Sequence, residues 1–324
     1  MNLSRWTALG LVAIALGLAT VAVLGPLVTG VIDYHVTETL RNQTIGLDAV
    51  SLLVVAPLSI VAAWLVRGGH IAGPALALGI GAYTAYMLVQ YVLGPEYERL
   101  PGNNELLFPL YLALLALGWA VALAAWNAFD VERLAGSRRR GRLVGGVVLP
   151  LLALVVFSRY LPALADWMSA RPTDRGYLAG PTFAWTIALL DLGVFLPATV
   201  AACVGVVRGA RWAHKALYLV VGWFALVGPA VAAMAIVMYV NDDPNASAVN
   251  VAFMTGLGLV LALLALALYR PLFQTVEAAD LHEPLADVED GRRRVLIPAP
   301  DAPAGTVPRA RALPERDPAA GEFP

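Results

Sequence analysis

Long apolar runs alternate with short polar breaks along most of this chain. Eight runs are long enough to cross the ~30 Å hydrocarbon layer, which takes about 20 residues of helix. They fall near residues 6–30, 48–66, 71–94, 106–128, 143–162, 182–207, 213–240 and 248–270. The runs are apolar all round and lack the two-residue alternation of barrel strands, so the pattern predicts helices. The breaks carry Pro, Gly and charge. The prediction is an all-α polytopic membrane protein with eight transmembrane helices.

The placement of basic residues orients the bundle. Arg5, Arg67, Arg133, Arg138, Arg139, Arg140, Arg142, Arg208, Arg211, Lys215 and Arg270 fall on one side. The opposite loops hold Arg41, Arg99, Arg171 and Arg175, with Arg159 at a helix end, beside acidic stretches such as GPEYERLPGNNE and VNDDPN. The arginine-rich side reads as cytoplasmic and carries both termini. The expected location is the plasma (inner) membrane of a prokaryote. The first segment reads as a retained helix, because its apolar run exceeds that of a signal peptide.

Composition agrees with this pattern. Of 324 residues, 59% are hydrophobic and only 14% charged, against about 25% charged in soluble domains. A net charge of −1 gives no reason to expect a nucleic-acid partner. The bilayer is the partner the pattern implies. One cysteine, Cys203, excludes a disulfide framework or a thiolate metal cluster within the chain. Residues 1–272 read as the membrane domain. Residues 273–324 read as a disordered cytoplasmic tail, with acid-rich 276–290, then Arg292–Arg294, then seven prolines in the last 30 residues. The tail is a candidate docking element for a protein partner.

An internal duplication is suggested by aligning VRGGHIAGPALALGIGAY (66–83) with VRGARWAHKALYLVVGWF (207–224), where eight of 18 positions are identical. A one-residue slip also pairs Pro57 with Pro197. The halves, about 1–140 and 141–272, would be parallel 4+4 repeats, with a ligand site expected at their interface.

Candidate chemistry centres on one carboxylate. Asp191 interrupts WTIALLDLGVFLPATV, 17 residues before Arg208 and hence about 25 Å along a helix. A lipid-facing charge at the bilayer centre costs at least ~2.5 kcal/mol, so Asp191 should face the bundle or a watered cavity. Pro57 and Pro197 free the carbonyls of Leu53 and Gly193, predicting local breaks in two corresponding helices. Tyr83, Tyr86 and Gln90 share one helical face, and Asn104, Glu105 and Arg159 lie at outer helix ends. Together with Asp191 they form the expected ligand-binding set, lining an outward-facing polar vestibule over an apolar floor. Arg159 is the expected cationic partner of Asp191. His70 and His214 at helix ends, and His35 near Asp33 and Glu38, do not make a haem or metal motif, so neither metal nor cofactor is expected.

The stretches NNELLFPLYLALLALG and LLDLGVFLP resemble those of uncharacterised multi-pass membrane proteins of bacteria and archaea. The resemblance covers the second to fourth and the sixth and seventh helices. It implies a membrane class and no activity. The leading expectation is a binder or transporter of a small molecule or lipid. A non-catalytic subunit docking through its tail is the alternative. A third reading is an intramembrane enzyme acting on an envelope lipid, with Asp191 and Glu105 as its acid–base pair; no loop is long enough to add a catalytic domain, which lowers this reading, and no HExxH, GxSxG, P-loop or dinucleotide motif is present.

Overall fold

A computed structural model describes residues 3–131 and 138–280, without the side chains of 138–140 and 275–280. Among the described residues there are helices and no strands, and eight helices are long and apolar enough to cross a membrane. We number these α1 (Leu3–Leu24), α2 (Glu38–Arg67), α3 (Ala72–Leu93), α4 (Asn104–Ala128), α5 (Gly141–Trp167), α6 (Pro181–Val207), α7 (Arg211–Val240) and α8 (Ala248–Gln274). Large apolar side chains such as Trp64, Leu161 and Val249 are more than 70% exposed. A soluble monomer does not tolerate so much exposed apolar surface. The chain is a polytopic all-α membrane protein. The tail expected from residue 273, including Arg292–Arg294, lies largely outside the described residues.

Small residues set the packing. α3 is the most buried span, 72% of its apolar window against 22% for α8, and packs against α2, α4, α6 and α7. Its glycines explain why. A Cβ on Gly79 would meet the Gly222 backbone of α7 at 2.8 Å, and one on Gly81 would meet the Gly118 carbonyl of α4 at 2.6 Å. Gly46 of α2 sits equally close to α7, 2.5 Å from the Met234 nitrogen by the same measure. Bare backbone at these crossings lets helices approach where larger residues would hold them apart.

The loops gather at two ends. At one end, the 94–103 loop bonds the 31–37 loop through Glu96 N to the His35 carbonyl (2.7 Å) and Asn103 N to the Asp33 carbonyl (3.0 Å). Thr37 joins the same end to Ala179 (2.9 Å). At the other end, His70 stacks obliquely on Phe273, and the Lys215 ammonium donates to the Trp126 carbonyl (2.7 Å). We call these the acidic end and the arginine end.

Two expectations are corrected here. α2 begins ten residues earlier than the apolar run, at Glu38. Its polar first turns are buried against the α7–α8 loop: Asp243 accepts from Thr39 (3.2 Å) and Asn42 (3.1 Å), and Asn241 donates to Asn42 (2.7 Å). Hydropathy does not register a helix whose polar face meets a polar loop. The predicted breaks at Pro57 and Pro197 are also absent. Each helix runs through its proline by widening one turn into π geometry, over Ser51–Val55 and Asp191–Phe195. A third such turn, Val144–Val148, precedes Pro150. The wider turn draws the carbonyl four residues back clear of the proline ring.

The local pattern around the two prolines recurs 140 residues apart. Both π turns are followed by a helix that ends with the same hydrogen bonds: His70 N to Leu65 O and Gly69 N to Val66 O in one, Ala210 N to Gly205 O and Gly209 N to Val206 O in the other. Gly69 and Gly209 take φ of +71° and +73°, as this type of helix end requires. The offset is one residue from the sequence pairing of Val66-Arg67-Gly68 with Val207-Arg208-Gly209.

Candidate functional site

Asp191 opens the π turn of α6 and is buried. Among the described residues, no cation lies within ion-pair distance. Its oxygens accept instead from two tyrosines: Tyr86 of α3 to Oδ1 at 2.8 Å and Tyr160 of α5 to Oδ2 at 2.5 Å. The expected Asp191–Arg159 pair is therefore not formed. Arg159 lies over the ring of Tyr160, 5.5 Å from its centroid, and lines the same cavity as Asp191, within electrostatic reach of the carboxylate but not in contact with it.

Aromatic rings fix the Tyr86 hydroxyl. Tyr86 meets Phe195 and Trp223 edge-on, at 5.3 and 5.2 Å, and Phe195 stacks on Trp223 at 3.6 Å. The indole N–H of Trp223 is buried and has no hydrogen-bond partner. An unpaired buried donor costs about 1–3 kcal/mol, so a site retains one only where something answers it or strain is tolerated.

These groups line a cavity of about 270 Å³, near the lower bound of small-molecule sites. Asp191, Tyr86, Gln90, Arg159 and Trp223 contribute its polar wall. Met87, Met234, Met238 and Met254 supply an adaptable apolar wall. Gly228, whose backbone meets that of Gly258 where α7 crosses α8, is also part of its lining.

Three expected site residues lie elsewhere. Tyr83 shares a hydrogen bond with Ser51 (3.0 Å) and does not line the cavity. The buried Asn104 bonds the Tyr91 carbonyl (3.2 Å) and the His35 nitrogen (3.5 Å). Glu105 bonds His35 (2.8 Å). Asn104 and Glu105 thus build a cap over α1–α4, and an Asp191–Glu105 acid–base pair is not assembled. A helical face is shared by residues three apart, yet the neighbours they meet differ, and sequence spacing carries no information on which neighbour comes first.

Within that cap, both ring nitrogens of His35 face acceptors: Nδ1 the Leu100 carbonyl at 2.6 Å, Nε2 the Glu105 carboxylate at 2.8 Å. A ring donating to both carries two protons. Burial pushes the His35 pKa down, but the Leu100 carbonyl and Glu105 together outweigh it and hold the imidazole above its ordinary value.

A second carboxylate escaped the sequence reading. Asp48 of α2 is 1% exposed, beneath Gly25 at the end of α1. It accepts from Tyr34 (3.3 Å) and from Tyr91 of α3. It is thus held, like Asp191, by two phenols. The only signal in the sequence was its position three residues before Ser51, the counterpart of Asp191 at the 140-residue offset.

Among the described residues, no cluster of three or more metal-ligating side chains is found. Comparison of the chain with protein-family models, with curated proteins and with solved structures returns no match, so nothing supports the family resemblance noted in the sequence.

Proposed function

We propose that this protein binds an amphipathic small molecule or lipid in the Asp191 cavity, from the acidic end of the bundle. The observation that carries this reading is the composition of one wall: a methionine-lined apolar surface beside a carboxylate oriented by two tyrosines and an indole N–H with no partner. Packing alone would not leave such a space. The acidic end would face outward, with both termini in the cytoplasm of a prokaryotic cell, since the basic residues gather at the opposite loops. The recurrence of π turn, proline and helix end 140 residues apart supports descent by duplication. On that reading the cavity, lined by residues on both sides of position 140, would lie between the two halves, as in repeat-built transporters.

The test uses a neutral single-chain amphiphile, a monoacylglycerol, added to the protein in nanodiscs of zwitterionic lipid. Binding should raise the melting temperature of the wild type in a concentration-dependent way. Met254→Trp, which fills the cavity, should remove that rise. A rise of equal size in the variant would place the amphiphile elsewhere and defeat the reading.

A further inference from the structure

The Asp191 cavity has a throat. A second chamber of about 320 Å³ opens at the acidic end, between the start of α2, the end of α5 and the start of α6. The two chambers share three wall residues, Gln43, Arg159 and Ile187. The chambers adjoin at these residues, so a ligand entering from the loops toward the carboxylate would pass Arg159. It lies eight residues before the acidic end of α5, roughly 12 Å inside it at 1.5 Å per residue. That is a depth the head of a lipid-like molecule reaches.

The charge at this point has no carboxylate in contact. Arg159 is exposed and, among the described residues, has no carboxylate within 4 Å; it sits beside the ring and hydroxyl of Tyr160 and interacts with Asp191 only at longer range. The acids nearby are engaged with other donors. Asp174, in the outer chamber, accepts from the Trp167 indole (2.9 Å) and the Gly176 nitrogen (2.8 Å). Asp166 accepts from Thr173 at nitrogen and hydroxyl and from the Asp174 nitrogen. Both oxygens of Asp191 hold tyrosine hydroxyls. A cationic ligand would have to compete with these donors. An acceptor-rich anion would meet a guanidinium with no carboxylate in contact, a group that suits carboxylates and phosphates bidentately.

We propose that the ligand is a single-chain amphiphile with an anionic head, that Arg159 binds the head at the throat, and that the tail lies against the methionines of the inner chamber. The inference rests on the reading above and adds the class of head group. Carboxylate and phosphate heads share the chemistry that Arg159 recognises.

The experiment compares amphiphiles of one chain length with carboxylate, phosphate, hydroxyl and trimethylammonium heads, together with inorganic phosphate alone, on the nanodisc protein. Affinity is read from melting shifts and checked by native mass spectrometry. Either anionic head should bind about tenfold more tightly than the hydroxyl, and inorganic phosphate alone should not bind. Arg159→Gln should abolish the preference, bringing the anionic heads to the affinity of the hydroxyl probe measured on the same variant, and Arg159→Lys should keep part of it. Loss of Arg159 breaks no ion pair, and an unchanged ligand-free melting temperature verifies that the fold is intact. If the trimethylammonium head binds best, if phosphate alone binds as well as the amphiphile, or if Arg159→Gln keeps the preference, the inference falls. Should these results come with binding that Met254→Trp still blocks, the proposed function stands without it. If no amphiphile responds to Met254→Trp, both fall.

Discussion

The two phenols on Asp191 decide what its loss should do. Removing one partner of a buried ion pair costs about 3–5 kcal/mol, because a charge is stranded. Here no cation would be stranded. Asp191→Asn keeps the shape and offers an oxygen to one tyrosine and an amide to the other, so its melting temperature should stay close to that of the wild type. Asp191→Leu leaves two buried hydroxyls unpaired, each costing about 1–3 kcal/mol, and should be strongly destabilised. Equal, large losses in both variants would mean that the negative charge itself holds the helices. His35 makes a second residue-level prediction. Its folded pKa lies above the unfolded value, so the protonated ring stabilises the cap. That contribution is full below the unfolded pKa of about 6.5 and is lost as pH rises through the raised folded pKa. Melting curves across this range should fall with rising pH in the wild type and flatten in His35→Gln. At this scale the sequence was only partly informative. Asp191, Tyr86, Gln90 and Arg159 do line one cavity, because each stands out as polar within an apolar run. Tyr160 and Asp48 were harder to find, since neither residue type nor spacing tells which buried phenol faces which carboxylate.

Whole elements were far more legible than contacts between them. Hydrophobic run length located all eight helices, since a bilayer imposes that length. It misjudged the start of α2, where polar residues are buried against a polar loop rather than left in water. It also could not distinguish a broken helix from one carrying a π turn, because proline demands relief and does not specify its form. Glycines separate the crossings that matter. Gly46→Ala would put a methyl 2.5 Å from the backbone of α7 and should cost about 1–3 kcal/mol through overpacking. Gly193→Ala meets only the tip of Leu189 at 3.5 Å. It should be neutral or slightly stabilising, since alanine favours helix over glycine. Thermal unfolding of the two variants side by side checks the contrast.

For the molecule as a whole, loops that alternate between two ends and basic residues that gather at one of them predict a topology that can be tested. In a Cys203→Ser background, Ser247→Cys should react with a membrane-impermeant maleimide in intact cells. Arg67→Cys should react only after the membrane is opened. The reverse pattern would invert the bundle and turn the throat toward the cytoplasm. The fold divides along similar lines. α2, α3, α4 and α7 meet through bare backbone, whereas α5 touches chiefly α6, and the path to Asp191 runs along that more loosely joined side.

The π turn before Pro197 has a genetic reading. A π turn is an α-helix holding one residue too many, the imprint that a single inserted codon leaves. Excising one codon between Leu192 and Phe195 would return the turn to α winding and press the Pro197 ring against the carbonyl four residues back. It would also swing everything upstream by about 100° and carry Asp191 away from both tyrosines. The protein would keep its helix and lose its site.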